Sequence, residues 1–277
     1  MKTGINLGFG FPQLSMEDQL RYIRESGFDA VFGRWTAPGD ACRIARAIRD
    51  TGLIVHSIHA PPMGARYIWR DIPEGAAAFE ELKACLRDCH EAGVELMVCH
   101  TFQSFDPEIP TELGVNRFRA LLNEAQSYGI RIAFENLEGE QYLSTLRDHL
   151  WDHPAAGFCF DSGHAWCYNA GMDVLSKYGS RLIATHINDN EGITGTTLDT
   201  KDDAHLMPFD GVVDWEYVTR GIAATGFDDI LTLELKNRNM PGRHTHDIYA
   251  HLNCAGFLRL AQEKAQKVIS MIEAARR

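Results

Sequence analysis

Residues 91–100 read EAGVELMVCH. A helix-compatible run stops at Gly93, an apolar run follows at once, and that run closes on His100. The same joint recurs in ESGFD, DTGLI, SYGIR and ATGFD, punctuated by Gly27, Gly52, Gly129 and Gly226. Each marks a helix that ends and a strand that starts within two residues. Outward from these joints, strands are predicted over 4–9, 28–33, 53–59, 94–100, 130–135, 157–161, 182–187 and 230–235. Helices are predicted over 15–26, 40–51, 75–91, 114–128, 140–150, 171–178, 214–224 and 246–274, the first opened by Ser15 ahead of an acidic turn.

Alternation of strand and helix implies a parallel sheet with helical crossovers. Eight units in 277 residues, roughly 35 residues each, predict a closed (β/α)8 TIM barrel as a single domain over 1–277. An open doubly wound sheet would carry G-x-G-x-x-G after its first strand, and GFGFPQ at 8–13 does not match. Segments 60–74, 101–113, 188–213 and 236–245 all follow strands and are long, whereas the helix-to-strand turns are short. In a barrel, every long loop then lies at the C-terminal mouth, where sites are built.

A chain with 45% hydrophobic and 23% charged residues supports a large globular core. Its net charge of −11 argues against a nucleic-acid partner. No apolar run approaches the roughly 18 residues that cross a bilayer, so no membrane span is expected. The start, MKTGINLGFGFPQ, lacks the pattern of an export leader and reads as a first strand. Seven scattered cysteines fit reduced thiols used for packing, and a cytoplasmic location is expected. Cys85 and Cys89, four apart, do not by themselves make a zinc site.

The strand endings carry the chemistry. His59, His100, Glu135, Asp161, His186 and Glu234 close the third to eighth strands. FCFDSGHAW, at 158–166, adds His164 three residues past Asp161, and the loop after the seventh strand adds Asp203 and His205. Singly, such residues are ordinary rim histidines and helix caps. Together, carboxylates crowded into one mouth repel each other and lose hydration, and a divalent cation relieves both costs. Mixed His and carboxylate donors suit Mn, Co, Mg or Zn.

The order FEN, FDSGH, HINDN, DDAHLMP…GVVDW and LELK resembles the xylose isomerase-like TIM barrels over about residues 3–260. That superfamily includes sugar and sugar-phosphate isomerases and epimerases, hydroxypyruvate isomerase, inosose dehydratase and endonuclease IV. The resemblance implies one divalent ion held by Glu135, Asp161, His186 and Glu234, with Glu135 and Glu234 also acting as acid and base. It implies substrate contacts from His164, with His59, His100 and His205 as further binding residues. Lys236 opens the basic loop KNRNMPGRH at 236–244, which is either a binding loop for a sugar phosphate or carboxylate or a solvated loop. The expected activity is isomerisation or epimerisation of a small sugar, sugar phosphate or keto-sugar derivative, by proton transfer α to a metal-polarised carbonyl. Two alternatives share the residues. One is a lyase or dehydratase acting on a keto-sugar or inosose. The other is an endonuclease IV-like phosphodiesterase with three zincs, the extra ions held through His59, His100, His164, Asp203 and His205. The expected partner is a small-molecule sugar, and because barrels of this family often pair, a homo-oligomer is also expected.

Two finer expectations concern the loops. Many relatives carry H-x-x-P-G-x-G after the seventh strand, whereas Phe209 replaces the first glycine here, which predicts an altered loop and a narrower pocket. Phe11, Trp35, Tyr67, Trp69, Phe102, Trp166 and Phe209 lie in mouth loops and either roof the site or serve as core or oligomer contacts, the commoner role for any one of them, with Trp69 foremost as a lid.

Overall fold

The computed structural model describes residues 1–169, 171–195 and 200–277. Its strands are β1 (Lys2–Asn6), β2 (Ala30–Arg34), β3 (Ile54–His59), β4 (Leu96–His100), β5 (Arg131–Glu135), β6 (Ala156–Asp161), β7 (Leu182–His186) and β8 (Ile230–Leu233). The α-helices are α1 (Met16–Glu25), α2 (Asp40–Asp50), α3 (Pro73–Glu91), α4 (Glu112–Ser127), α5 (Glu140–Leu150), α6 (Ser162–Cys167), α7 (Val174–Tyr178), α8 (Trp215–Thr225) and α9 (Cys254–Ala275). All paired strands are parallel, neighbours follow chain order from β1 to β7, and β8 lies beside β1.

The ring closes between β7 and β8 through an isolated bridge from Ile187 to Leu233. Ile187 N donates to Thr232 O at 2.8 Å, and Thr232 N donates to Thr185 Oγ1 at 3.0 Å. A threonine hydroxyl therefore takes over part of the ladder at the seam. The expected (β/α)8 barrel is the fold.

The turn glycines explain the joints. Gly27, Gly52, Gly93, Gly129 and Gly226 all have φ between 62° and 87°, a conformation that ends a helix and that a Cβ disfavours. Ser15 caps α1 by accepting from Asp18 N at 3.0 Å. Three predicted boundaries move by three residues or more. β1 ends at Asn6, not residue 9, because Gly8 and Gly10 turn left-handed at φ 80° and 111°. The helix predicted over 246–274 is a 3₁₀ turn at Thr245–Tyr249 followed by α9, which starts only where Asn253 caps it by accepting from Gly256 N. The helix predicted at 171–178 is reduced to α7, capped by Asp173. Within the long loop expected at 188–213, residues 196–199 lie outside the described residues.

The period of two along each strand sets the interior. Counting back two from the terminal residues of β3 to β7 gives Ser57, Val98, Ala133, Cys159 and Ala184, all buried. Val98, Ala133, Cys159 and Ala184 form a small cluster of their own. These small side chains floor the barrel and leave the layer above to the polar residues. Among the described residues, no helix is long and apolar enough to cross a membrane.

Candidate metal and substrate site

Asp161 shows how a strand end becomes a donor. It closes β6 and caps α6, its Oδ1 accepting from His164 N at 2.7 Å. Its Oδ2 accepts from Asn188 Nδ2 at 2.8 Å, and Asn136 brackets its backbone, accepting from Asp161 N at 2.8 Å and donating to Asp161 O at 2.9 Å. The DSGH and HIND segments interlock further. Ser162 Oγ donates to Asn188 O at 2.6 Å, and Asn190 Nδ2 donates to Gly163 O at 2.7 Å. Gly163 is required by this approach, since a Cβ there would lie 1.9 Å from Asn188 Oδ1.

The structure gathers every strand-end residue expected at the mouth. Glu135, Asp161, His186 and Glu234 each offer a donor atom, all within 4.8 Å of one another. His186 Nδ1 stands 2.8 Å from Glu135 Oε1 and 3.2 Å from Glu234 Oε2, and its ring stacks on Phe32 at 4.5 Å. His59 Nε2 and His100 Nε2 lie 3.3 and 3.0 Å from Glu135 Oε2. His164, Asp203 and His205 form another close group, with His205 Nε2 at 2.7 Å from Asp203 Oδ2. Lys236 Nζ lies 3.4 Å from the same oxygen.

This donor set fits a divalent cation. Glu135 and Asp161 are fully buried and Glu234 is 7% exposed, so three carboxylates share a space with little water. Donors around an ion at about 2.1 Å stand roughly 3–4 Å apart, and the four donors here lie within 4.8 Å of one another, close enough to converge on one ion. The orientation of the histidines also fits. Nδ1 of His59, His164 and His205 donates to the carbonyl oxygens of Ala60, Asn136 and Glu234 at 2.6, 2.9 and 3.0 Å, which leaves each Nε2 facing the acids. His205 holds this pose at φ 51°, an uncommon conformation for a side chain of its size.

Protonation follows from these distances. Burial alone would raise Glu135, but His186, His100 and His59 outweigh it and hold the carboxyl well below the usual range. Burial would likewise raise Glu234, and His186 and His205 hold it well below. Burial would lower His164 and His186, yet the neighbouring acids, with Cys159 beside His186, hold both well above an ordinary imidazole. Burial dominates at His100, lowering it to about 4, and at Asp161, raising it to about 6. Without metal, Glu135 and Glu234 are thus held as carboxylates beside imidazolium groups at His164 and His186.

A cavity of about 200 Å³ opens above these groups. His59, His100, His164, Asp203, His205, Glu234 and Lys236 line it, as do Arg34, Gln103, Glu138 and Tyr168, which sequence reasoning missed. Two of these had signals. Arg34 closes β2 just as the recognised donors close their strands, and Glu138 follows Glu135 at the spacing that separates His164 from Asp161. Tyr168, whose ring lies 5.3 Å from His164, had none.

The aromatic expectations are corrected. None of the seven candidates lines this cavity. Trp69 is 2% exposed, donates to Thr101 O at 2.8 Å and packs against Phe118 and Tyr142. Trp35 is equally buried and donates to Asp88 Oδ2 at 2.7 Å. Phe209 keeps the left-handed turn of a glycine, at φ 72°, and points away, against Trp215 and beneath Lys267 Nζ at 3.9 Å. Packing and a cation–π contact offset the strain, so the pocket is not narrowed there.

Residues 20–259 match the family described as xylose isomerase-like TIM barrel. The chain belongs to that family. Among its relatives is an uncharacterised protein of Sinorhizobium fredii, y4fM, 30% identical over 78% of this chain and 79% of the relative. An inosose isomerase of Bacillus licheniformis is 22% identical over 98% of each chain. A probable endonuclease 4 of Halorhodospira halophila is 25% identical over 59% of this chain and 62% of its own. Among solved structures, the IOLI protein with a binding zinc atom has a TM-score of 0.74 at 17% identity, covering 99% of both chains. A D-tagatose 3-epimerase-like protein has a TM-score of 0.72 at 20% identity, again covering 99% of both. These two likenesses show the family's fold.

Proposed function

We propose that the protein is a divalent-metal-dependent isomerase or epimerase of a small sugar, sugar phosphate or keto-sugar derivative. The observation that carries this reading is the buried set of four donors, Glu135, Asp161, His186 and Glu234, which meets the cavity through Glu234. The near full-length likeness to an inosose isomerase supports it. A bound cation would supply Lewis-acid polarisation of a substrate carbonyl. Glu234, on the cavity wall, takes the proton from the carbon α to that carbonyl, and Glu135 is the second acid–base group. Protonated His164 donates to a substrate oxygen, and His59, His100, His205 and Lys236 hold and orient the remaining hydroxyls. Return of the proton to the neighbouring carbon isomerises the substrate, and return to the opposite face epimerises it. Loss of a neighbouring hydroxyl in place of proton return would make the same site a lyase or dehydratase.

Solvent exchange tests the reading. Metal-loaded protein incubated in D2O with a panel of ketoses and inososes should incorporate deuterium α to the carbonyl. Glu135→Gln and Glu234→Gln should each lower that exchange by about 10²–10⁴-fold with the circular dichroism spectrum intact. Full exchange in either variant would refute its acid–base role.

The second reading, a phosphodiesterase with three zincs, is favoured by one observation. His59 and His100 gather on one side of Glu135, and His164, Asp203 and His205 gather in a separate group. Cleavage of abasic-site DNA by zinc-loaded protein, together with no ketose exchange, would establish it in place of the first.

A further inference from the structure

The loops after β1 and β8 are stitched together at their roots. Asn6 Nδ2 donates to Leu235 O at 3.1 Å, Leu235 N donates to Asn6 Oδ1 at 2.8 Å, and Asn237 N donates to Phe9 O at 2.8 Å. Gly10 permits this contact, since a Cβ there would stand 2.6 Å from Asn237 N. Above the stitch the loops part into a cleft of about 630 Å³. Phe11, Pro12, Met240 and Pro241 supply its apolar wall, and Lys236 and Arg238 supply its charge.

Three features give the cleft a ligand preference. It shares Lys236 and Met240 with the central cavity, so the two spaces adjoin. No Asp or Glu is among its described lining residues, although the chain carries a net charge of −11. Among the described residues, exposed Arg238 makes no ion pair and Lys236 makes only the 3.4 Å approach to Asp203. The acids of the mouth come from the ends of β5 and β6 and from the segments after β5, β7 and β8, and Arg34, on the other flank of β1, adds a cation to the central cavity at 3.9 Å from Glu234 Oε1. The cleft is therefore a cationic space that borders the acids of the mouth.

Building on the sugar-enzyme reading above, we propose that this cleft binds an anionic oxygen group, phosphate or carboxylate, at one end of the substrate. Lys236 and Arg238 pair with that group, and the carbon that exchanges its proton lies at Glu234. The substrate class narrows from sugars in general to acidic sugar derivatives long enough to span both spaces.

The test is titration of metal-loaded protein with inorganic phosphate and, separately, with acetate, read through the side-chain NMR signals of arginine and lysine. At least one ion should shift the Arg238 and Lys236 signals saturably, and Lys236→Gln with Arg238→Gln should weaken that ion about tenfold or more. Phosphate alone would identify a phosphorylated substrate, and acetate alone a sugar acid. Failure of both ions to bind, or binding that survives the double substitution, would overturn the proposal. Because the titration needs no turnover, it is independent of the D2O experiment. Anion binding without exchange keeps the cleft and removes the isomerase, and exchange of neutral ketoses without anion binding does the reverse.

Discussion

Glu138 sits on the wall of the central cavity with 7% of its surface exposed. Burial, opposed in part by its own backbone N–H and by His164, raises its carboxyl from 4.5 to about 7. The sign follows from linkage. Between those two values the folded chain keeps a proton that the unfolded chain has released, so stability falls as pH rises through that window and levels off above it. With metal removed, Glu138→Gln should flatten that slope and gain about 1–3 kcal/mol at pH 8. Urea denaturation from pH 5 to pH 8 checks this, and an unchanged slope would show that the carboxyl is already ionised. A near-neutral carboxyl inside the cavity is also suited to donating a proton to a leaving or carbonyl oxygen.

At the scale of elements, the joint between β6 and α6 orients Asp161. No loop intervenes, so the acid is both strand end and helix cap, and its second oxygen is held by Asn188 from the segment after β7. Gly163→Ala should displace Asn188 and break that hydrogen bond. Alanine's better helix propensity returns under about 1 kcal/mol, against a clash and a lost buried bond, for a net loss of about 2–3 kcal/mol. The same substitution should weaken metal affinity by about 10-fold or more, because Asp161 loses its orientation. Thermal denaturation and metal titration read the two effects separately. A variant with native metal affinity would show that Asn136 and the cap suffice.

At the scale of the whole molecule, the mouth concentrates charge that the barrel floor cannot solvate. Metal uptake must displace protons from His186 and, if the outer groups fill, from His164, both of which are held protonated by their acids. Affinity for Mn or Zn should therefore rise with pH, and binding in weak buffer should release protons measurable by calorimetry. Elemental analysis of protein purified without added metal or chelator should find about one ion per chain, lost in Glu135→Ala. Two to three zincs per chain would instead favour the phosphodiesterase.

The strand ends were legible in the sequence because a parallel barrel has one mouth and a strict inward–outward period. A polar residue closing an apolar strand therefore carries its own address, and His59, His100, Glu135, Asp161, His186 and Glu234 all meet at the address read from it. The glycine joints were legible for a similar reason, since a left-handed turn is chemically costly for other residues. Loop side chains carry no such period. Nothing in ARYIWRD distinguishes a lid tryptophan from one buried beneath Phe118 and Tyr142, and nothing at Phe209 reveals that it accepts a glycine's conformation by packing on Trp215. Tertiary structure alone decided those positions, together with the seam at Thr185 and Thr232 and the cleft between two loops more than 200 residues apart. Each depends on which distant surface a side chain meets, a quantity that local periodicity does not encode.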